Sequence, residues 1–335
     1  MSSNNSIHNP NDYSAVVTGI LLANLVLNSG QIFLSVLNIF SLLRTSLIHP
    51  HLKAVLLTQS GSFCINSVGM SWFIITQETD IGKMLLCLLG LNLCNFIGHA
   101  LLIERIIATW KAHKYEKWRS PLFIVTLLIS VVTIASSVAT FELCKSANML
   151  LVIFIFACVN SALCFSEIFA FVKISFHNKK RYKQTIGKTE NGNGHDKLSE
   201  RYQLNENIRT ARQLAPVFLC HFFIVFGTVP LLAIQHFQLT TDIELINVLN
   251  YSYELYTTLF CTLIELALLF RYPILRKNVV QLFRTVRWKV KGLICRNRIG
   301  NVENEICEKR RQRESELVAQ FEMKRHFEIL AKAWA

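Results

Sequence analysis

This sequence is short of charge. Only 17% of its 335 residues are Asp, Glu, Lys or Arg, while 52% are hydrophobic, against roughly 25% charged in soluble domains. So much apolar surface must face something other than water, which excludes an ordinary soluble globule. Acidic residues are the scarcer sign, 22 against 35 basic, for a net charge of +13. Nucleic acid is not implied, because the positive residues gather between certain apolar blocks and read as a membrane-face signal. The ten cysteines lack the paired spacing of zinc sites and the density of a disulfide scaffold. Also missing are a His-Glu-x-x-His pair, a His and Asp cluster at a membrane edge and a phosphate-cradling glycine loop. No catalytic residue, metal or cofactor is therefore expected. A removable signal peptide is not expected either, since the first apolar block is too long for one and has no basic segment before it.

What is present is a series of long apolar blocks. A bilayer core takes about 20 apolar residues as helix, and seven blocks qualify, at roughly 20–43, 54–76, 82–109, 121–141, 149–173, 214–237 and 247–270. Helix is the one open-chain conformation that satisfies its own backbone in lipid. The fold class expected is all-α, a seven-transmembrane-helix bundle at 20–272. A tail at 273–335 follows, with an amphipathic helix at about 273–294. Pro216 and Pro230 in the sixth block predict a kink. Every Lys and Arg except Lys83, Lys145 and Arg105 lies in loops on one side or in the tail. By the positive-inside rule that side is cytoplasmic, which puts residues 1–19 outside. Asn4, in Asn4-Asn5-Ser6, is then placed to accept a glycan. The third cytoplasmic loop, Ser175 to Gln213, is polar and long enough to be mobile until a partner orders it, with its second half able to extend the sixth helix.

The most informative constellation is Glu104-Arg105 at the cytoplasmic end of the third helix. A carboxylate beside an arginine neutralises it at rest and releases it in another state, a switch by charge pairing. The alternative is an arginine that snorkels to the interface beside a solvated glutamate. After Arg271-Tyr272-Pro273, residues Leu275, Val279, Leu282, Val286, Val290 and Leu293 share one helical face, with Lys277, Arg284, Arg287 and Lys291 elsewhere. Such a helix lies on anionic lipid. Cys295 at its end is either a palmitoylation site or an unmodified tail cysteine. The basic second and third loops form a positive surface suited to a peripheral partner.

Polar residues inside spans should face the bundle interior. Asn92, Asn95 and His99 share one face of the third helix; Glu254, Thr258, Cys261 and Glu265 share one of the seventh; Glu167 and His221 stand alone in the fifth and sixth. Interhelical hydrogen bonding is the first expectation for each. Ligand contact is expected at Asn92, Asn95 and Glu254, nearer the outer half, whereas Glu265 and His221 are deeper and assigned to the switch. Cys87 lies five helical turns before Arg105, roughly 27 Å, so it emerges outside near Cys144. The two either form a bridge or remain free thiols. The interior carboxylates also admit a transporter or ligand-gated ion channel, though neither inverted repeats nor short glycine-interrupted helices are visible.

The whole seven-helix plan resembles a G protein-coupled receptor. The stretches Ile103-Glu104-Arg105-Ile106-Ile107-Ala108-Thr109, Lys114-Tyr115-Glu116-Lys117, Leu198-Ser199-Glu200-Arg201-Tyr202-Gln203-Leu204-Asn205-Glu206-Asn207-Ile208-Arg209 and Phe327-Glu328-Ile329-Leu330 resemble, more narrowly, nematode serpentine chemoreceptors of the Sra superfamily, in the Srab or Sre classes. The rhodopsin-like marks are absent: no Asp in the second helix, no Trp in the fourth, no Cys-Trp-x-Pro in the sixth and no Asn-Pro-x-x-Tyr in the seventh. The resemblance implies a multi-pass plasma-membrane receptor of sensory neuron cilia. It would bind a small environmental chemical within the bundle and activate a heterotrimeric G protein. Orientation is checked by moving a glycan acceptor: one placed in residues 1–19 is expected to be glycosylated, and one placed in 188–193 is not.

Overall fold

The computed structural model describes residues 10–45, 48–76, 81–111, 120–143, 147–187, 194–240, 242–296, 310–318 and 322. Among these residues eight long helices follow in order: α1 (Pro10–Arg44), α2 (Pro50–Thr76), α3 (Ile81–Trp110), α4 (Pro121–Leu143), α5 (Ala147–Gly187), α6 (Gly194–His236), α7 (Ile243–Arg271) and α8 (Pro273–Arg296). Among the described residues there is no strand. The chain forms two compact units, residues 1–278 and 279–335. The first holds the seven-helix bundle and the start of α8. The second holds the rest of α8, where Val280, Phe283, Val286 and Trp288 are exposed, and a helical stretch at 310–318.

Among the described residues, six helices are long and apolar enough to cross a membrane; α2 is not among them. It corresponds to the block read as a span at roughly 54–76, and the reason for its lower hydropathy lies in what it buries. Its 27 residues are long enough to span, yet His51, Gln59, Ser60, Ser62, Asn66 and Ser67 are all buried. Packed between α1 and α3, α2 turns polar groups to the interior and lowers its own hydropathy. The first helix shows the same inversion of the soluble pattern. Asn24, Asn28, Gln31, Ser35 and Asn38 form a buried stripe at helical spacing, while Leu22, Val26, Phe33, Val36 and Leu43 are exposed. Outward apolar faces and inward polar ones are what a lipid solvent selects.

Helix ends follow local chemistry. Asp242 caps α7, its Oδ1 accepting from the backbone N–H of Glu244 at 2.9 Å and of Leu245 at 3.3 Å, which satisfies two orphan donors. Pro273 restricts the residue before it and opens α8, so Tyr272 breaks the helix in extended geometry. Asn278 then ties the start of α8 to α1, donating to the Ser41 carbonyl at 3.1 Å and the Thr45 Oγ1 at 2.9 Å. The helix α6 passes through Pro216 and Pro230 without a break.

The long polar loop expected at Ser175–Gln213 is largely helical: its second half extends the sixth helix, as its sequence allows, and the fifth helix also runs on into its first half. α5 continues to Gly187 and α6 begins at Gly194. Beyond the apolar block, Leu204, Asn207, Ala211 and Leu214 keep a buried helical face. Arg201 reaches across from α6 to the Thr185 carbonyl of α5 at 2.7 Å. Low hydropathy marks where lipid ends, and this pairing carries the two helices past it.

Between α2 and α3 small residues let the backbones approach closely. A Cβ placed on Gly90 would lie 2.6 Å from the backbone nitrogen of Asn66, and one on Gly69 would lie 2.9 Å from the Cys87 sulfur. Backbone cannot swing aside as a side chain can. Gly90→Ala is therefore expected to destabilise the bundle by about 1–3 kcal/mol, the usual cost of overpacking. Gly30→Ala, with nothing within 4 Å, should not. Melting of the detergent-purified chain compares the two.

Candidate functional site

At the basic end, where α3 finishes, Glu104 and Arg105 are both buried, at 1% and 4% exposure. The Arg105 Nε and Nη2 each donate to one Glu104 carboxylate oxygen, so neighbouring residues form a two-point ion pair. The snorkelling alternative, with a solvated glutamate, is not what the structure holds. His51 of α2 and Tyr272 lie within electrostatic reach. Burial lowers the His51 pKa, against the opposing effects of its 3.1 Å contact with the Ser120 carbonyl and of the Glu104 charge. Burial raises that of Tyr272.

The last carbonyls of any helix have no partner within it. In α3 they are capped by other helices. Asn207 of α6 donates to the Ala108 carbonyl at 3.1 Å, and Arg181 of α5 to that of Thr109 at 3.3 Å. Asn178 of α5 donates to the Thr109 Oγ1 at 3.0 Å. Gln213 of α6 serves the Arg271 carbonyl at the end of α7, at 2.9 Å. The basic end is thus closed by α6 and α5 lying over the terminus of α3.

Midway along the bundle, Glu265 is wholly buried and joins three helices. Its carboxylate accepts from Ser35 at 2.9 Å, from Asn38, and from Ser60 at 3.2 Å, and Asn38 also donates to the Glu265 carbonyl at 3.1 Å. His221 meets Gln59 of α2 at 3.4 Å. Its ring would lie 3.5 Å from a Cβ on Gly98 of α3, so glycine admits it there. Between α3 and α5, His99 pairs with Glu167 and contacts the Asn160 Oδ1 at 2.9 Å. The donor atoms of His99, Cys164 and Glu167 lie within 4.8 Å of one another. A metal there would have to displace the His99–Glu167 contact.

In the opposite half, a cavity of about 160 Å³ opens between α2, α3 and α7. Asn66 and Met70 line it from α2, Cys87, Leu88 and Leu91 from α3, and Asn250, Tyr253, Glu254, Thr257 and Thr258 from α7. Of the three residues expected at a ligand site, Glu254 alone lines this cavity. Asn92 turns to α4, donating to the Glu142 Oε2 at 3.0 Å and to the Leu88 carbonyl at 3.0 Å. Asn95 lies one turn deeper than Leu91, its Oδ1 buried and, among the described residues, without a hydrogen-bond partner. Cys87 carries a free thiol packed on Gly69. Its expected partner Cys144 is outside the described residues, as is Asn4, and the side chain of Cys295 is likewise not described.

Sequence reasoning gave no role to Ser35, Asn38 or Ser60, although the polar stripe of α1 was a usable signal for the first two. It also missed Asn66, Met70, Asn250 and Tyr253, whose convergence depends on how three helices cross. Asn207 lies inside the most distinctive stretch of the sequence, without a function that its neighbours in the chain could suggest.

The family model described as Sre G protein-coupled chemoreceptor, a serpentine chemoreceptor family of nematodes, matches residues 81–335, from the start of α3 onward. No curated protein matches the chain. Whatever the ligand, Glu265→Ala would leave Ser35, Asn38 and Ser60 facing a void. A loss of about 2 kcal/mol is expected, less for Glu265→Gln, which keeps an acceptor. Thermal melting of the two variants against the parent chain gives the comparison.

Proposed function

The chain belongs to the Sre family of G protein-coupled chemoreceptors, and we propose on that premise that it binds a small environmental chemical inside the bundle. Binding activates a heterotrimeric G protein at the basic end. The observation that carries this reading is the closed terminus of α3, where Glu104 and Arg105 are buried as a pair and Asn207 of α6 caps the Ala108 carbonyl. The Glu254 cavity lies toward the opposite end of the same helix, about 24 Å away at 1.5 Å per helical residue from Leu88 to Glu104.

The mechanism needs two states. At rest, α6 caps α3 and Glu104 neutralises Arg105. In the active state α6 moves off, the Ala108 carbonyl is released, and Arg105 turns from Glu104 to the G protein. A ligand drives this only as far as it binds the open state more tightly than the closed one. The charge distribution supports the direction of the device. The basic loops and tail lie on the side assigned to the cytoplasm, and the exposed apolar residues of α8 suit an anionic membrane surface. Sensory cilia are the compartment in which such a receptor would serve.

Arg105→Ala is expected to abolish G protein activation in a receptor that still reaches the surface. Asn207→Ala removes one hydrogen bond from the resting state, worth about 1 kcal/mol, and should raise basal activity about five-fold. Both are read as nucleotide exchange or resonance energy transfer on a co-expressed G protein. Unchanged signalling in both variants would sink the switch. A ligand-evoked current in proteoliposomes free of G protein would reassign the chain to a channel.

A further inference from the structure

Interior carboxylates in this bundle have partners, with one exception. Glu104 is held by Arg105, Glu142 by Asn92, Glu167 by His99, and Glu265 by Ser35, Asn38 and Ser60. The Oε2 of Glu254 is buried and, among the described residues, has no hydrogen-bond partner. The residue lines the cavity between α2, α3 and α7, and no Lys, Arg or His lines it with Glu254. Three of its polar neighbours are engaged elsewhere, Thr257 by donating to the Tyr253 carbonyl at 2.9 Å. The Tyr253 hydroxyl meets the Thr228 Oγ1 at 2.6 Å, and the Asn250 Oδ1 accepts from Gln235 at 2.9 Å. An ionised carboxylate at membrane depth without a counter-charge is strongly disfavoured, and an ionisable residue there by default marks a site whose partner must be found.

The cavity's size and walls say what that partner is. Met70, Leu88 and Leu91 present apolar surface. A void of about 160 Å³ is close to one that elsewhere holds a benzene ring, so it suits roughly six to eight non-hydrogen atoms. We propose that Glu254 is the counter-ion for the ammonium group of a small monoamine, whose hydrocarbon part packs against Met70, Leu88 and Leu91. The ligand class rests on the cavity, and its consequence for signalling rests on the receptor reading above.

The test uses the full chain, purified in detergent, with isoamylamine and benzylamine set against isoamyl alcohol and benzyl alcohol as neutral counterparts of the same shape. Binding is read by melting shift across a concentration series. In the parent chain at least one amine should bind about ten-fold or more tightly than its alcohol, the gain expected of a charge-assisted contact. Glu254→Gln should erase that preference and leave alcohol binding within about two-fold, because the cavity is unchanged. Leu91→Phe, which narrows the cavity and leaves the carboxylate, should weaken benzylamine more than isoamylamine. Equal affinity for amine and alcohol in the parent chain, or a preference that survives in Glu254→Gln, overturns the proposal. If Glu254→Gln is not recovered folded, the parent comparison and Leu91→Phe decide. G protein activation in cells separates the two ideas. Amine binding without activation keeps the cavity assignment and removes the receptor reading; activation by a non-amine, with no amine binding, does the reverse.

Discussion

Everything in this structure depends on one constraint: a polar group placed inside the bundle must find its partner on another helix. Lipid supplies neither donors nor acceptors, so the interior holds the hydrogen-bonding side chains and the exterior the apolar ones. Glu265 is the clearest case. One carboxylate draws Ser35 and Asn38 of α1 and Ser60 of α2 to α7, and so fixes three helices whose outward faces offer no specific attraction. Between α2 and α3 the same need for closeness is met by Gly69 and Gly90, where the absence of a Cβ lets one backbone approach another.

The same constraint underlies the switch proposed above. Carbonyls at the end of α3 cannot be satisfied within α3, so α5 and α6 supply Arg181 and Asn207. A helix end capped by a neighbour is coupled to that neighbour's position. In the proposed mechanism, moving α6 removes the cap beside the buried Glu104–Arg105 pair. The cavity at the other half of α3 touches α2 and α7, the same helices that Glu265 joins, so the proposed ligand would act on elements already tied together by hydrogen bonds.

Much of the architecture was legible because lipid imposes a coarse code. Long apolar blocks announced the helices. The second half of the third loop reads as able to extend the sixth helix, and α6 does begin at Gly194, with Leu204, Asn207, Ala211 and Leu214 holding it in register on a polar background. The run of α5 on to Gly187 is not legible in the same way, because hydropathy reports contact with lipid and not helicity. α2 reads as a span, and its buried polar face is why its hydropathy falls short of the other six. Among the candidate ligand residues, Glu254 lines the cavity between α2, α3 and α7. Asn92 makes the interhelical hydrogen bond that is the first expectation for polar residues in a span, its amide going to Glu142 of α4; helical spacing shows which residues share a face and not which helix that face meets.

By itself the sequence determined the class of solvent, the number of helices, the side on which positive charge gathers and the pairing potential of Glu104 with Arg105. All of these are local: they depend on runs of residues and on neighbours in the chain. Tertiary structure alone decided that Glu104 and Arg105 are buried together, that Asn207 caps α3, that Ser35, Asn38 and Ser60 converge on Glu265, and that Glu254 is left without a partner in a cavity. Each of these depends on which faces of helices far apart in the chain come to lie against one another. Packing determines that, through close approaches such as Gly90 on Asn66, and no period in one helix encodes the identity of its neighbour.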